Sequence, residues 1–173
     1  MHPRRALFKK IKDSAAQLVP QTRAIRPPWA VSEGHFQKRC TRCGDCVTGC
    51  PRKILHYSTE QDLALRFYPV MLLENNGCDF CSACVTRCQT GALSLTEGRK
   101  AQALAVLSGM CVKQYGQYCT NCADACPANA ISSAPGSIQI DAARCDGCGE
   151  CTLACGERAI AMEKRPADLP PSP

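Results

Sequence analysis

The sequence predicts a small α+β fold of two tandem modules held together by their cysteines, and three observations predict it. The chain carries 16 cysteines in 173 residues, several times ordinary usage. Those cysteines recur in groups of like spacing, which is an internal repeat. Aromatic residues make up only 5% of the chain, with a single Trp, so carbon alone builds little core. Domains short of core depend on cross-links or metals.

The first group is Cys40, Cys43, Cys46 and Cys50, spaced C-x2-C-x2-C-x3-C. Cys78, Cys81, Cys84 and Cys88 repeat that spacing, as do Cys145, Cys148, Cys151 and Cys155. The third group, Cys111, Cys119, Cys122 and Cys126, widens the first gap from two residues to seven. Three cysteines on so tight a loop surround one face of a 4Fe–4S cube and turn backbone amides toward its sulfurs. A fourth, three residues on, points to a neighbouring cluster and makes two clusters one folding unit. Cys50 and Cys126 are followed by Pro51 and Pro127, as in the bacterial ferredoxin run; Cys88 and Cys155 are followed by Gln89 and Gly156.

The chain therefore reads as two tandem dicluster modules of bacterial ferredoxin type with four 4Fe–4S clusters as cofactors. Residues 1–24 form a basic segment, in which Leu7, Phe8, Ile11, Ala15 and Leu18 fall at near-helical spacing among Arg4, Arg5, Lys9, Lys10 and Lys12. Pro20 would end that amphipathic helix. Residues 25–96 hold groups one and two, and residues 97–164 hold groups three and four. Short strands are expected at Ala92–Leu95, Ala103–Leu107, Ser137–Ile140 and Ala159–Met162, with a turn at Pro135-Gly136. Pro127 to Ile131 has room for one or two helical turns. The segment 165–173, rich in proline, is expected to be disordered.

An exchanged partition gives cluster one Cys40, Cys43, Cys46 and Cys88, and cluster two Cys78, Cys81, Cys84 and Cys50. Cluster three then takes Cys111, Cys119, Cys122 and Cys155, and cluster four Cys145, Cys148, Cys151 and Cys126. A sequential partition uses the same ligands, and spacing alone is compatible with both.

Structural zinc prefers two separated C-x2-C knuckles, which triplets within seven residues serve badly. Stable disulfides are rare in the reducing cytosol expected for a chain without a secretory signal. No run approaches the roughly 20 apolar residues of a membrane span. The formal charge of +6 counts the cysteines as neutral. With thiolates and cluster cores included, the loaded chain sits at about −2, so its basic balance is no argument for nucleic acid. G-x-G-x-x-G and P-loop motifs are missing, as is a C-x3-C-x2-C triplet. His2, His35 and His56 are scattered; His35, five residues before Cys40, reads as a surface histidine. No acid–base pair presents itself, so an enzyme active site is not expected. The insertion in group three loosens the loop carrying Cys111. A tolerated surface loop is the simpler reading, and a change in that cluster's potential, stability or access is the sharper one. Tyr115 and Tyr118 within it would shield the cluster or meet a partner.

Ile25-Arg26-Pro27-Pro28-Trp29-Ala30, then Glu33, Phe36 and Cys40-Thr41-Arg42-Cys43, resembles the NapF family of ferredoxin-type accessory proteins of the periplasmic nitrate reductase system. The likeness covers about residues 25–160, including the widened gap and Cys145-Asp146-Gly147-Cys148-Gly149-Glu150-Cys151. It implies a cytoplasmic protein that meets the precursor of the nitrate reductase catalytic subunit before export. There it would assist maturation, by supplying or tuning that subunit's own iron–sulfur cluster. Arg4, Arg5, Arg26, Pro27, Pro28 and Trp29 are the candidate partner-binding residues. For Pro27-Pro28-Trp29, a rigid lead-in packed on the first module is the plainer account. Arg4-Arg5 superficially resembles a twin-arginine signal but lacks the apolar region that follows one. A basic helix on a partner or an anionic membrane surface is the functional reading, and a solvated N-terminus the plain one. A general electron carrier and a membrane-associated redox subunit are the alternative roles.

Overall fold

Residues in left-handed conformations bend the cysteine loops before any regular element forms. The computed structural model describes residues 24–99 and 101–166. Between Cys40 and Cys46, Arg42 and Gly44 take φ of 61° and 85°. Phe80 and Ser82 repeat this in the second loop, at 54° and 60°, and Gly147 and Gly149 in the fourth, at 77° and 86°. Alternating ordinary and left-handed residues bring successive N–H groups to one concave side. The third loop breaks the pattern: Thr120 has φ −129°, and the left-handed residue is Gly116, inside the insertion.

Helix α1, Glu33–Arg39, follows the lead-in and buries Phe36. Helices α2 (Asp45–Thr48), α3 (Ala83–Thr86), α4 (Asn121–Asp124) and α5 (Glu150–Ala154) each carry the third cysteine of a group and end just before the fourth. The helical turn expected after Cys126 therefore lies before it. Asn129, at φ 48°, reverses the chain there, and Ile131 already begins a strand.

Strands β1 (Leu55–Tyr57) and β2 (Pro69–Met71) form an antiparallel hairpin. In the second half, β3 (Ala103–Leu107) and β6 (Ile160–Lys164) form one two-stranded sheet, and β4 (Ile131–Ala134) and β5 (Ser137–Ile140) form another around Pro135-Gly136. Strands β3 and β6 pair antiparallel from Ala103↔Lys164 to Leu107↔Ile160. Their counterpart in the first half is one bridge, Ala30↔Leu93, flanked by Val31 N–H to Ala92 O at 3.1 Å and Ser94 N–H to Trp29 O at 2.8 Å. The strand expected at Ala92–Leu95 thus stops early. The Ser94 hydroxyl accepts from Thr96 N–H and opens a single 3-10 turn, Leu95–Glu97. Each half repeats one plan: lead strand, cysteine loop, helix, hairpin, second loop, helix, closing strand.

The halves dock through backbone. Cys78 N–H donates to Cys148 O at 2.7 Å. Arg52 bridges to Gly77 O and Glu150 at 3.1 and 3.3 Å. Gly149 lies so close to Leu73 that a Cβ there would come within 2.9 Å of its side chain. Gly149→Ala adds roughly 1–2 kcal/mol of left-handed strain to that clash. It is expected to lower the denaturation midpoint and loosen the docking, read as a shorter proteolytic half-life.

Arg165 corrects the boundary placed at residue 165. Its N–H donates to Gln102 O at 2.9 Å. Its guanidinium reaches Ala142 O at 2.7 Å, Ala103 O at 3.2 Å and Cys145 O. A guanidinium that donates to three carbonyls belongs to the second half, not to a tail. The basic segment 1–23, with Arg4 and Arg5, and residues 167–173 lie outside the described residues.

Candidate metal centres

The cysteines gather across groups rather than within them. One cavity is lined by Cys40, Cys43 and Cys46 together with Cys88 from the second group. A second is lined by Cys78, Cys81 and Cys84 with Cys50 from the first. A third, of about 210 Å³, is lined by Cys111, Cys119 and Cys122 with Cys155 from the fourth. Among neighbouring thiolates, Cys145 and Cys126 do most to raise the Cys151 thiol. Around these three cavities the cysteines group as in the exchanged partition. Among the described residues no three His, Cys, Asp or Glu side chains close on a single ion; the cysteines stand around cavities instead.

Backbone amides converge on these sulfurs. Cys40 accepts from Arg42 N–H, Cys78 from Phe80 and Cys148 from Glu150, at or beside the left-handed turns. Ala130 N–H donates to Cys126 Sγ, and Ala159 N–H to Cys155 Sγ, both at 3.3 Å. Four thiolates around a cavity, with amides aimed at them, fit a 4Fe–4S cluster. Such a cluster, when bound, supplies reversible one-electron storage.

Burial pushes the thiols of Cys46, Cys84, Cys148 and Cys151 up to about 12 and that of Cys78 to about 11, with neighbouring negative charges adding to the rise. Cys88 moves the other way. Burial raises it, but N–H groups of Leu93, Ala92 and Thr90 and the Thr90 hydroxyl together outweigh that. The raised thiols keep their protons at neutral pH in the metal-free chain, and metal takes them as thiolates. Loading with iron and sulfide is therefore expected to release several protons per chain beyond the reagent background, measured as acidification of weakly buffered solution. Lower pH is expected to reduce the clusters formed, followed by their visible absorbance.

Four of the proposed partner-binding residues are corrected by their burial. Arg26 is 0% exposed and Trp29 5%, and Pro27 and Pro28 are fully buried. Trp29 meets Phe80 edge-on at 5.9 Å. The lead-in is the inner wall of the first half, with no surface to offer. His35 sits exposed, its Nδ1 3.0 Å from Ser32 Oγ, and His56 is exposed on β1. Cys43 and Cys81 reach the surface. Spacing did not mark Lys113, which is buried on the wall of the third cavity.

Paired loops, amide-lined sulfurs and repeated halves define a ferredoxin-type 4Fe–4S protein. A family model described as "4Fe-4S binding domain" matches residues 137–160. The chain is 32% identical over 144 residues to the ferredoxin-type protein NapF of Escherichia coli, covering 80% of this chain and 84% of that one. It is 36% identical over 167 residues to the methylamine utilization ferredoxin-type protein MauM of Methylobacillus flagellatus, covering 87% and 71%. An uncharacterized protein of Haemophilus influenzae is 31% identical over 161 residues, covering 92% and 90%. The chain belongs to the family of NapF-like ferredoxin-type proteins. Among the described residues no helix is long and apolar enough to cross a membrane.

Proposed function

We propose that this chain holds four 4Fe–4S clusters in two interlocked pairs and serves as a cytoplasmic accessory protein. In this reading its sixteen cysteines are the ligands, in the exchanged partition, and it assists maturation of a periplasmic nitrate reductase catalytic subunit before export. The observation that carries the cluster assignment is the meeting of Cys88 with group one and of Cys50 with group two at separate cavities. The likeness to NapF supports the partner. Exposed Cys43 and Cys81 support electron exchange with that partner, since reduced clusters near the surface couple to a docked redox centre. The role is electron or cluster supply rather than catalysis on a small substrate.

Iron and acid-labile sulfide on anaerobically purified protein test the clusters: about sixteen of each per chain are expected from four cubes. About four zinc and no sulfide would end the reading. Pull-down with the unexported precursor tests the partner, and failure to recover it counts against the maturation role.

The similarity to MauM favours a second reading, a ferredoxin-type electron-transfer protein serving another redox system. Binding of the nitrate reductase precursor that survives loss of the clusters argues for the accessory role. Absence of binding, with clusters that accept and donate electrons, argues for the carrier.

A further inference from the structure

We propose that Lys113 is a built-in counter-cation for the third cysteine set, placed there by the inserted loop, and that it biases this site toward holding an electron. Two charged side chains, Arg26 and Lys113, are buried among the described residues. Arg26 has its carboxylate, Glu33, at 2.6 Å. Lys113, 6% exposed, has none in ion-pair range among the described residues. Its Nζ donates to Cys119 O at 3.4 Å and lies 5.8 Å from the centre of the Tyr118 ring. An ammonium out of water and without an anion is expensive.

The missing anion is on the cavity wall that Lys113 shares with Cys111, Cys119, Cys122 and Cys155. Thiolates around a cluster leave such a site net negative. The carboxylate on that wall, Glu157, is exposed and forms no ion pair with Lys113. The first and second cysteine cavities differ. Arg42 and Arg87, on the first, are exposed, and Arg52, on the second, is partly exposed and already bound to Gly77 O and Glu150. Lys113 itself sits in the 3-10 turn Val112–Tyr115, which the widened gap contains and left-handed Gly116 ends. A tight C-x2-C loop has no room for that turn.

A fixed positive charge in a desolvated site favours the more negative of two redox states. Reduction here adds one electron from an external one-electron donor, with no bond made or broken. The inference rests on the reading that these four cysteines hold a cluster, and iron and sulfide content of the wild type tests that reading separately.

Redox titration with viologen mediators, followed by electron paramagnetic resonance on the loaded full-length chain, tests the proposal. Lys113→Met is expected to keep wild-type iron and sulfide and to move one reduction wave at least tenfold in its equilibrium toward the oxidised form. For one electron that is a shift of 59 mV to more negative potential. Lys113→Arg is expected to restore the wave. Full iron with unmoved waves in Lys113→Met overturns the proposal. If Lys113→Met instead loses one cluster's iron, Lys113→Arg and Lys113→Gln decide. Iron kept by Arg alone supports the counter-cation; iron kept by Gln, or by neither, overturns it.

Discussion

Replacing Cys84 with serine is expected to empty two cluster sites rather than one. Cys84 stands on α3, and its thiol feels the charges of Cys78, Cys46 and Cys50. Two of these line its own cavity, and Cys46 belongs to the next. The first half closes because Cys50 crosses from the first run to the second cavity and Cys88 crosses back. A lost ligand frees the Cys78–Cys84 loop, and with it the chain that carries Cys88. The small core has little else to hold it: Phe80, packed on Trp29, lies in that same loop. Iron is expected to fall from about sixteen to about eight per chain, with sulfide in step. Cys50→Ser is expected to do the same although it lies in the first run. A loss of only about four irons in both variants would show sites that load independently and end the interlocked reading.

The parts of this fold legible in sequence are those where spacing is the physics. A C-x2-C-x2-C run has one compact way to surround a cube, so the loops followed directly, as did the turn at Pro135-Gly136 and the strand after it; the strand before it, β4, was not expected. The partition was not legible, because exchanged and sequential sets use identical residues; only the packing of α2 on α3 and of α4 on α5 separates them. The lead-in misled for a related reason. Arg26-Pro27-Pro28-Trp29 reads as a signature, and a signature suggests a surface, whereas this one is a buried wall. Its burial depends on Glu33, seven residues on, and on Pro69, forty-three residues on, which no local pattern connects. Lys113 was hidden in the same way, since a lysine in an inserted loop is ordinarily solvated.

Removing the Arg26 guanidinium is the substitution outside the cysteines with the largest expected cost. The side chain pairs with Glu33 through Nε at 3.0 Å and Nη2 at 2.6 Å, a bidentate geometry. It donates to Pro69 O at 3.4 Å and lies 5.0 and 5.2 Å from the centres of the Phe36 and Tyr68 rings. One cation thus ties the lead-in to α1 and to β2. Glu33 is only 14% exposed, so Arg26→Met leaves a poorly hydrated carboxylate with its Gln37 bond but without its bidentate cation, at a cost of about 3–5 kcal/mol. Burial raises the Glu33 carboxyl, and its bonds with Arg26 and Gln37 outweigh that and hold it below 4.5. A depressed folded value means this stabilisation is present above pH 4.5 and is lost as pH falls through the folded value. At neutral pH that stabilisation is fully present, so the penalty of Arg26→Met is read there, as a shift in the denaturation midpoint of the loaded protein. The double variant Arg26→Met with Glu33→Gln removes the stranded charge as well, and is expected to recover much of the loss at neutral pH. A double variant as unstable as the single one would place the cost in packing against Phe36 and Tyr68 rather than in the ion pair.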